Sequence, residues 1–191
     1  MALTSGTVLK ERYKVLSTLG QGGMGAVYRA EDNHLGVKVA IKENLFLTEG
    51  YSRQFQREAN ILASLRHPSL PKVIDYFTIP NQGQYLIMEF IDGEDLRQRI
   101  ERQTCVSERE ACIIGIVICD AIQYLHSRSQ SIIHRDIKPG NIKITPEGEI
   151  VLVDFGLAKV IEDKDNPGRQ DTITGARAMT PGYSPPEQYR T

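Results

Sequence analysis

The sequence predicts an α+β fold in which a sheet-rich first half precedes a largely helical second half. Apolar and polar side chains alternate over residues 12–19, 26–30 and 37–42, which is the period of half-buried strands. Residues 51–65 instead repeat their apolar positions near a 3.6-residue period, which indicates one helix. Two further strands are expected over 72–78 and 84–90, on either side of a turn.

Helical patterns dominate from residue 92 onward. A short charged helix is expected over 94–102, and Ser107 and Glu110 form a capping-box pattern that opens a longer apolar helix to about His126. Short strands are expected at 131–133, 142–145 and 149–153, whereas the polar stretch 160–178 indicates a long mobile loop. We therefore expect two domains, residues 1–91 and 92–191, with the cleft between them as a ligand site.

Composition and charge exclude several classes of protein. The 191 residues include 23 basic and 24 acidic side chains, and a net charge of −1 gives no electrostatic footprint for nucleic acid. The longest apolar run, Ala111–Cys119, is too short to span a bilayer. The first residues also lack the pattern of a signal sequence. These observations favour a cytoplasmic protein without a membrane segment.

Three cysteines recur at seven-residue intervals, as Cys105, Cys112 and Cys119. Their odd number and the absence of C-x-x-C spacing disfavour a disulfide framework or a zinc site. On a helix this spacing places them on one face, where we expect them to pack as small apolar side chains.

Two features of the first half indicate contacts with phosphate. Gly20, Gly22 and Gly25 lie between two predicted strands, where glycine lets the backbone bend and approach a phosphate without a Cβ clash. A strand rather than a helix follows them, which argues against a dinucleotide-binding fold. Lys42 ends an apolar strand, and an ammonium that faces a cleft needs an anion, such as a phosphate or the carboxylate of Glu58.

Two polar motifs in the second half supply candidate catalytic and metal-binding groups. Residues 134–141 are mostly polar or charged, and apolar segments flank them on both sides. A half-buried Asp136 in this stretch needs a functional role or an interaction partner. Asp154 follows an apolar strand, at a position where loops often carry function. Oxygen atoms of Asn141 and Asp154 suit Mg²⁺, which takes few protein ligands, while Asp136 can reach a hydroxyl proton.

The order and spacing of these motifs resemble those of the eukaryotic-type (Hanks-type) serine/threonine protein kinases, and the resemblance extends from about Tyr13 to Glu187. It implies a bilobal kinase-like fold with a β-rich N-lobe and a helical C-lobe. It also implies ATP and Mg²⁺ as cofactors and a protein hydroxyl as the acceptor. The motifs look like those of the bacterial branch. Because the sequence stops soon after Glu187, we expect an incomplete C-lobe that lacks its remaining helices.

The same resemblance assigns roles to individual residues. The three glycines and Lys42 would hold the ATP phosphates, and Glu58 would pair with Lys42. Asp136 would be the catalytic base, Lys138 would offset the charge of the transferred group, and Asn141 and Asp154 would hold Mg²⁺. The remaining ATP contacts are expected from Leu19, Val27, Ala40, Met88, Glu89, Ile91 and Asp95. Lys143 departs from the family pattern, since many kinases have an apolar residue under the adenine at this position.

The segment from Asp154 to Glu187 resembles the activation segment of the family. Lys138, two residues after Asp136, matches the serine/threonine-specific pattern, and Thr180 matches the threonine that faces the catalytic Asp. Arg135 suggests control by phosphorylation, because an arginine can hold a phosphate. Thr172 and Thr174 are the candidate acceptors. Some bacterial relatives form N-lobe-mediated homodimers, which adds one candidate partner to the protein substrate.

Three functions remain open at this point. The chain is a serine/threonine kinase catalytic region, a nucleotide-binding but catalytically weak module that acts through partners, or a small-molecule phosphotransferase. Residues 180–187 resemble a peptide-substrate platform, which disfavours the third function. The second stays open because, without further helices, the apolar underside of the helix ending at His126 would be exposed.

Overall fold

The computed structural model describes residues 2–22, 25–45, 49–155, 159–161 and 180–189. The chain divides into two compact units, one of residues 1–66 and 71–90 and the other of residues 67–70 and 91–191. The first unit is built mainly from strands, and the second holds two of the three α-helices found in the described ranges, so the α+β prediction is confirmed. The exact domain boundary after residue 91 stays a prediction.

An antiparallel six-stranded sheet forms the first unit. Its strands are β1 (Val8–Leu9), β2 (Tyr13–Gly22), β3 (Gly25–Asp32), β4 (Val37–Asn44), β5 (Val73–Ile79) and β6 (Gly83–Glu89), in the spatial order β1-β2-β3-β4-β6-β5. The helix α1 (Glu49–Ser64) connects β4 to β5. Alternation located β2, β3 and β4, and β5 and β6 were located by the turn between them. β1 is two residues long and gives no alternation to detect.

The apolar core of the first unit lies on one face of this sheet. Tyr13 stacks on Phe77, with 5.9 Å between ring centroids, and Phe77 contacts Tyr85. The same cluster contains further buried residues of β2, β3, β4 and β6: Val15, Ala26, Tyr28, Ala30, Val39, Ile41 and Ile87. Strand alternation sends the residues between them to the opposite face.

The second unit combines two helices with short strands. The elements are β7 (Glu94–Asp95), α2 (Leu96–Gln103), α3 (Glu108–His126), β8 (Ser131–Ile133), β9 (Ile142–Ile144), β10 (Ile150–Leu152) and β11 (Lys159–Ile161). β10, β9 and β7 form one sheet, and β11 pairs with β8. Ser107 caps α3 as predicted, because its hydroxyl accepts the N–H of Glu110 at 3.2 Å. Within the described ranges, no helix is long and apolar enough to cross a lipid bilayer.

Two expectations for this unit are wrong. Cys105 lies beyond the end of α2, and all three cysteines are exposed rather than packed. The buried stripe of α3 begins at Ile114, two residues after Cys112, and two residues correspond to about 200° of helix rotation. The predicted loop also begins too early, because Lys159–Ile161 is a strand. Ile113 and Ile116 of α3 are exposed in this structure.

Candidate active site

Four predicted ATP contacts of the first unit, Val27, Ala40, Lys42 and Met88, lie on the sheet face opposite the apolar core. The strand register pairs Val27 with Lys42 and Gly20 with Val27, and it pairs Ala40 with Met88. Side chains of directly paired residues share one face of a sheet. Lys42 is half-buried in this group, and Leu19, near the end of β2, is exposed. The strand register therefore brings Val27, Ala40, Lys42 and Met88 together on one face of the sheet.

The glycines of this region meet different constraints. Gly25 begins β3 opposite Asn44, and a Cβ at Gly25 would overlap the backbone carbonyl oxygen of Glu43. Packing alone thus requires glycine at this position. Within the described part of the chain, a Cβ at Gly20 would meet no atom within 4 Å, so contacts with those residues do not require glycine there. Its predicted contact with a phosphate stays a prediction.

Hydrogen bonds within the protein already engage some of the Glu89 and Asp95 atoms that could contact ATP. The N–H of Glu89 donates to the carbonyl of Lys72 at 2.8 Å, which leaves the Glu89 carbonyl oxygen as the group for an adenine contact. Oδ1 of Asp95 accepts the N–H of Gln98 at 2.9 Å, and the Gln98 side chain accepts the N–H of Asp95 in return. This capping box begins α2 and was missed by the sequence analysis. Ile91 is half-buried nearby in the chain.

Lys143, the departure from the family pattern, lies beside Asp95. The two residues are directly paired between β9 and β7. The ammonium of Lys143 donates to the carbonyl of Gly93 at 3.3 Å, and the side chain is half-buried. The Lys143 ammonium thus contacts the backbone just before Asp95.

Asp136 is the centre of a hydrogen-bonded cluster in the second unit. Its side chain is 7% exposed. Oδ2 accepts hydrogen bonds from Nζ of Lys138 and Nδ2 of Asn141, both at 2.8 Å. Oδ1 accepts the hydroxyl of Thr180 at 2.7 Å, and Lys138 also donates to that hydroxyl oxygen at 3.2 Å. Four residues that the sequence analysis selected, separated by up to 44 positions, therefore meet at one carboxylate.

The same contacts keep Asp136 ionised. Burial is the largest single influence and by itself raises the pKa of a carboxyl group. The hydrogen bonds from Lys138, Thr180 and Asn141, together with the charge of Lys138, outweigh burial and lower the pKa of Asp136 below its ordinary value of 3.8. Asp136 is thus a carboxylate at neutral pH.

The backbone around Asp136 is held by neighbouring loops. His134, 2% exposed, packs against Phe155 at 4.8 Å between ring centroids, and its Nδ1 accepts the N–H of Asp136 at 3.3 Å. Arg135 has a φ of +67° and Asp154 a φ of +64°. Non-glycine residues rarely adopt such angles, and strain of this kind concentrates at functional loops.

Asn141 and Asp154 offer the oxygen atoms that a magnesium site needs. Asn141 lies in a short 3-10 helix, Pro139–Asn141, and uses Nδ2 to donate to both the carbonyl and the carboxylate of Asp136. The amide is therefore oriented, and its Oδ1 is left for another partner. Asp154 is exposed just beyond β10. An amide oxygen and a carboxylate fit Mg²⁺, which keeps most of its other ligands as phosphate and water.

Two residues that the sequence analysis missed support this cluster. Ser184 accepts the N–H of Thr180 at 3.0 Å through its hydroxyl oxygen. Gln188, in the 3-10 helix Pro186–Tyr189, donates to the carbonyl of Arg135 at 3.3 Å. Only their proximity to Thr180 in the sequence could have indicated them.

Three predicted residues cannot be placed in this description. Glu58 lies in α1, but its side chain is outside the described part of the structure. Thr172 and Thr174 lie outside the described residues altogether.

Comparisons with known proteins identify the family. The protein kinase domain model matches residues 13–190. The chain is 36% identical over 190 residues to the serine/threonine-protein kinase PknA of Mycobacterium tuberculosis, covering 96% of this chain and 42% of PknA. It is 35% identical to a probable serine/threonine-protein kinase PknB of Lactococcus lactis, covering 97% of this chain and 29% of that protein.

A eukaryotic relative shows similar identity. The serine/threonine-protein kinase tousled-like 1-B of Danio rerio is 36% identical over 189 residues, covering 94% of this chain and 25% of the relative. The chain thus spans less than half the length of each of these three relatives. On the match of the protein kinase domain over residues 13–190, the chain belongs to the protein kinase family.

Proposed function

We propose that this chain transfers the terminal phosphoryl group of ATP to serine or threonine hydroxyls of protein substrates, with Asp136 as the catalytic base. The main support for this proposal is that the buried Asp136 carboxylate accepts hydrogen bonds from Lys138, Asn141 and Thr180. Phosphoryl transfer depends mainly on positioning and on neutralising charge. The fixed carboxylate of Asp136 would position the acceptor hydroxyl, and the fixed ammonium of Lys138 beside it would neutralise charge.

Each member of the cluster has a separate task in this mechanism. Asp136 orients the substrate hydroxyl and accepts its proton, because its lowered pKa keeps it ionised. Lys138, 2.8 Å from Asp136, offsets negative charge on the transferred group. Thr180 holds Oδ1 of Asp136 and so fixes the carboxylate plane. Positioning of this kind lowers the activation barrier, because the reacting groups lose their orientational freedom on binding rather than in the transition state.

The cofactors of the proposed reaction are ATP and Mg²⁺. Asn141 and Asp154 would hold Mg²⁺, which when bound neutralises phosphate charge. Lys42, paired with Glu58, would hold ATP phosphates together with Gly20, Gly22 and Gly25. The shared sheet face of Val27, Lys42, Ala40 and Met88 supports this assignment. The other ATP contacts are proposed as predicted, at Leu19, Glu89, Ile91 and Asp95.

Regulation and partners form a finer part of the proposal. Arg135 would bind a phosphate on Thr172 or Thr174, as arginines next to catalytic loops can. We place the reaction in the cytoplasm, where ATP is available, and we retain an N-lobe-mediated homodimer as a candidate assembly. Sedimentation of the purified chain at several concentrations measures that assembly.

A transfer assay tests the proposal. The chain is incubated with Mg²⁺ and ATP labelled at the terminal phosphate, together with a generic protein substrate, and nucleotide binding is measured in parallel. The proposal expects labelled protein that depends on both Mg²⁺ and the chain. Nucleotide binding without any transfer would instead support the catalytically weak module.

A further inference from the structure

A carboxylate in the core of the first unit has no role in the proposed transfer. Glu43 lies on β4 next to Lys42 and is 2% exposed. Its Oε2 accepts the hydroxyl of Tyr28, on β3, at 2.6 Å. Its other oxygen, Oε1, is also buried. On β6, Tyr85 is directly paired with Glu43. These three residues form the Tyr28–Glu43–Tyr85 cluster.

The surroundings of this cluster are apolar. Tyr28 and Tyr85 belong to the buried core on one face of the sheet. Burial, and then the neighbouring Glu43 carboxylate, raise the pKa of each tyrosine to about 12. The hydroxyl oxygen of Tyr28 also accepts the N–H of Leu3, at 3.0 Å. The cluster therefore joins β3, β4, β6 and the N-terminal segment at one point.

Stability does not account for a carboxylate at this position. A buried ionic or polar group costs desolvation that its contacts rarely repay, and well-packed apolar replacements are often as stable. A buried polar group can instead select one arrangement, because its hydrogen bond is made in only one strand register. A slip of one residue between β3 and β4 would bury Lys42 in the core and bring Glu43 to the opposite face.

We infer that Glu43 is a positioning residue that, through its hydrogen bond from Tyr28, fixes the register of β3 against β4 and so the placement of Lys42 and Gly25 for binding the phosphates of ATP. The backbone supports the link to Gly25, because the Glu43 carbonyl leaves room only for glycine there. This inference rests on the proposed function of Lys42. Glu43 itself contacts no substrate.

Comparing Y28F with Y28F/E43M separates an effect on the placement of Lys42 and Gly25 from an effect on stability. Y28F leaves the Glu43 carboxylate buried without its donor, which lowers the unfolding temperature. The double variant Y28F/E43M removes both polar groups and is expected to regain the unfolding temperature of the wild type. Y13F is the matched control, since Tyr13 is equally buried on the same face and donates to Asp75 on β5 at 3.1 Å.

Dissociation constants for Mg-ATP and for adenosine are then measured on the full chain. We expect Y28F/E43M to bind Mg-ATP about tenfold more weakly. A tenfold change in the dissociation constant corresponds to the loss of one well-placed hydrogen bond to a charged group. Adenosine, which has no phosphates, should bind as it does to the wild type, and E43Q, which keeps an acceptor for Tyr28, should rescue Mg-ATP binding. Full recovery of Mg-ATP affinity in Y28F/E43M, or an equal loss in Y13F, would overturn the inference.

Hydrogen exchange gives a readout that does not depend on nucleotide. Amides of β3 and β4 should exchange faster in Y28F/E43M than in the wild type, while those of β5 should not change. Unchanged exchange in β3 and β4 would also overturn the inference. A wild-type chain that binds Mg-ATP but transfers no phosphate would contradict the proposed function and leave the role of Glu43 standing.

Discussion

Removing the hydroxyl of Thr180 should weaken catalysis and change its pH dependence together. Val is nearly the same shape as Thr, so T180V deletes the donor to Oδ1 of Asp136, at 2.7 Å, and the acceptor for Lys138, at 3.2 Å. A hydrogen bond to a charged group contributes about 1.5–3 kcal/mol. If that energy holds Asp136 in its reactive orientation, kcat/KM should fall by about 10- to 100-fold.

The pH profile shows which group has changed. Thr180 is one of the groups that lower the pKa of Asp136, so its loss must raise that pKa. The acid limb of kcat/KM against pH should therefore move to higher pH in T180V. T180S keeps the hydroxyl and should retain the wild-type limb. A T180V profile that superimposes on the wild type, with an unchanged maximum, would refute the assignment of Thr180 to Asp136.

Three further predictions concern the same residues and the fold. D136N should reduce transfer by about 10²–10⁴-fold, the usual contribution of a general base, with nucleotide affinity within about twofold of wild type; near-normal transfer would contradict the role of Asp136. N141A should raise the Mg²⁺ concentration needed for half-maximal activity, and an unchanged Mg²⁺ titration would count against Asn141 as a ligand. S107A should lower the unfolding free energy by about 1 kcal/mol in urea denaturation, because Ser107 caps α3, whereas S127A, beyond the other end of α3, should have less effect.

Acid stability offers a separate check on the fold. Hydrogen bonds from Arg12, then from the backbone of His34 and Leu35, lower the pKa of Asp32 below 3.8 although burial opposes them. A carboxyl group with a lowered folded pKa stabilises the protein above its unfolded pKa, and that contribution is lost as the pH falls. Unfolding temperature should thus decline below about pH 4 in the wild type. D32N should show a smaller decline, and equal declines would contradict the Arg12–Asp32 pair.

Sequence patterns located a strand or a helix correctly where its side chains are buried with the period of that element. β3 was found because it buries every second side chain along its whole length. The α3 helix was found because Ser107 caps it and an apolar run follows. The two-residue strands β1 and β7 were missed, since two residues cannot show a period.

The site was predictable only in part, for a physical reason. Spacing shows that Asp136 and Asn141 are close in the chain, but it cannot show that Thr180, 44 residues later, reaches the same carboxylate. That pairing came from the family resemblance. Glu43 was missed because a single acid at the end of an apolar strand looks exposed, and its burial depends on Tyr28 and Tyr85 from other strands. The cysteines were misjudged because a seven-residue spacing fixes a helix face without saying which face is buried.

Identifying the amino acid that carries the label after transfer shows whether this chain phosphorylates serine and threonine through Asp136. The chain is incubated with Mg²⁺ and labelled ATP in the presence of a substrate offering serine, threonine and tyrosine, and the labelled residues are separated after hydrolysis. The cluster of Asp136, Lys138 and Thr180 predicts phosphoserine and phosphothreonine with the wild type and almost none with D136N. Label that appears on tyrosine, or label that persists undiminished in D136N, would contradict it.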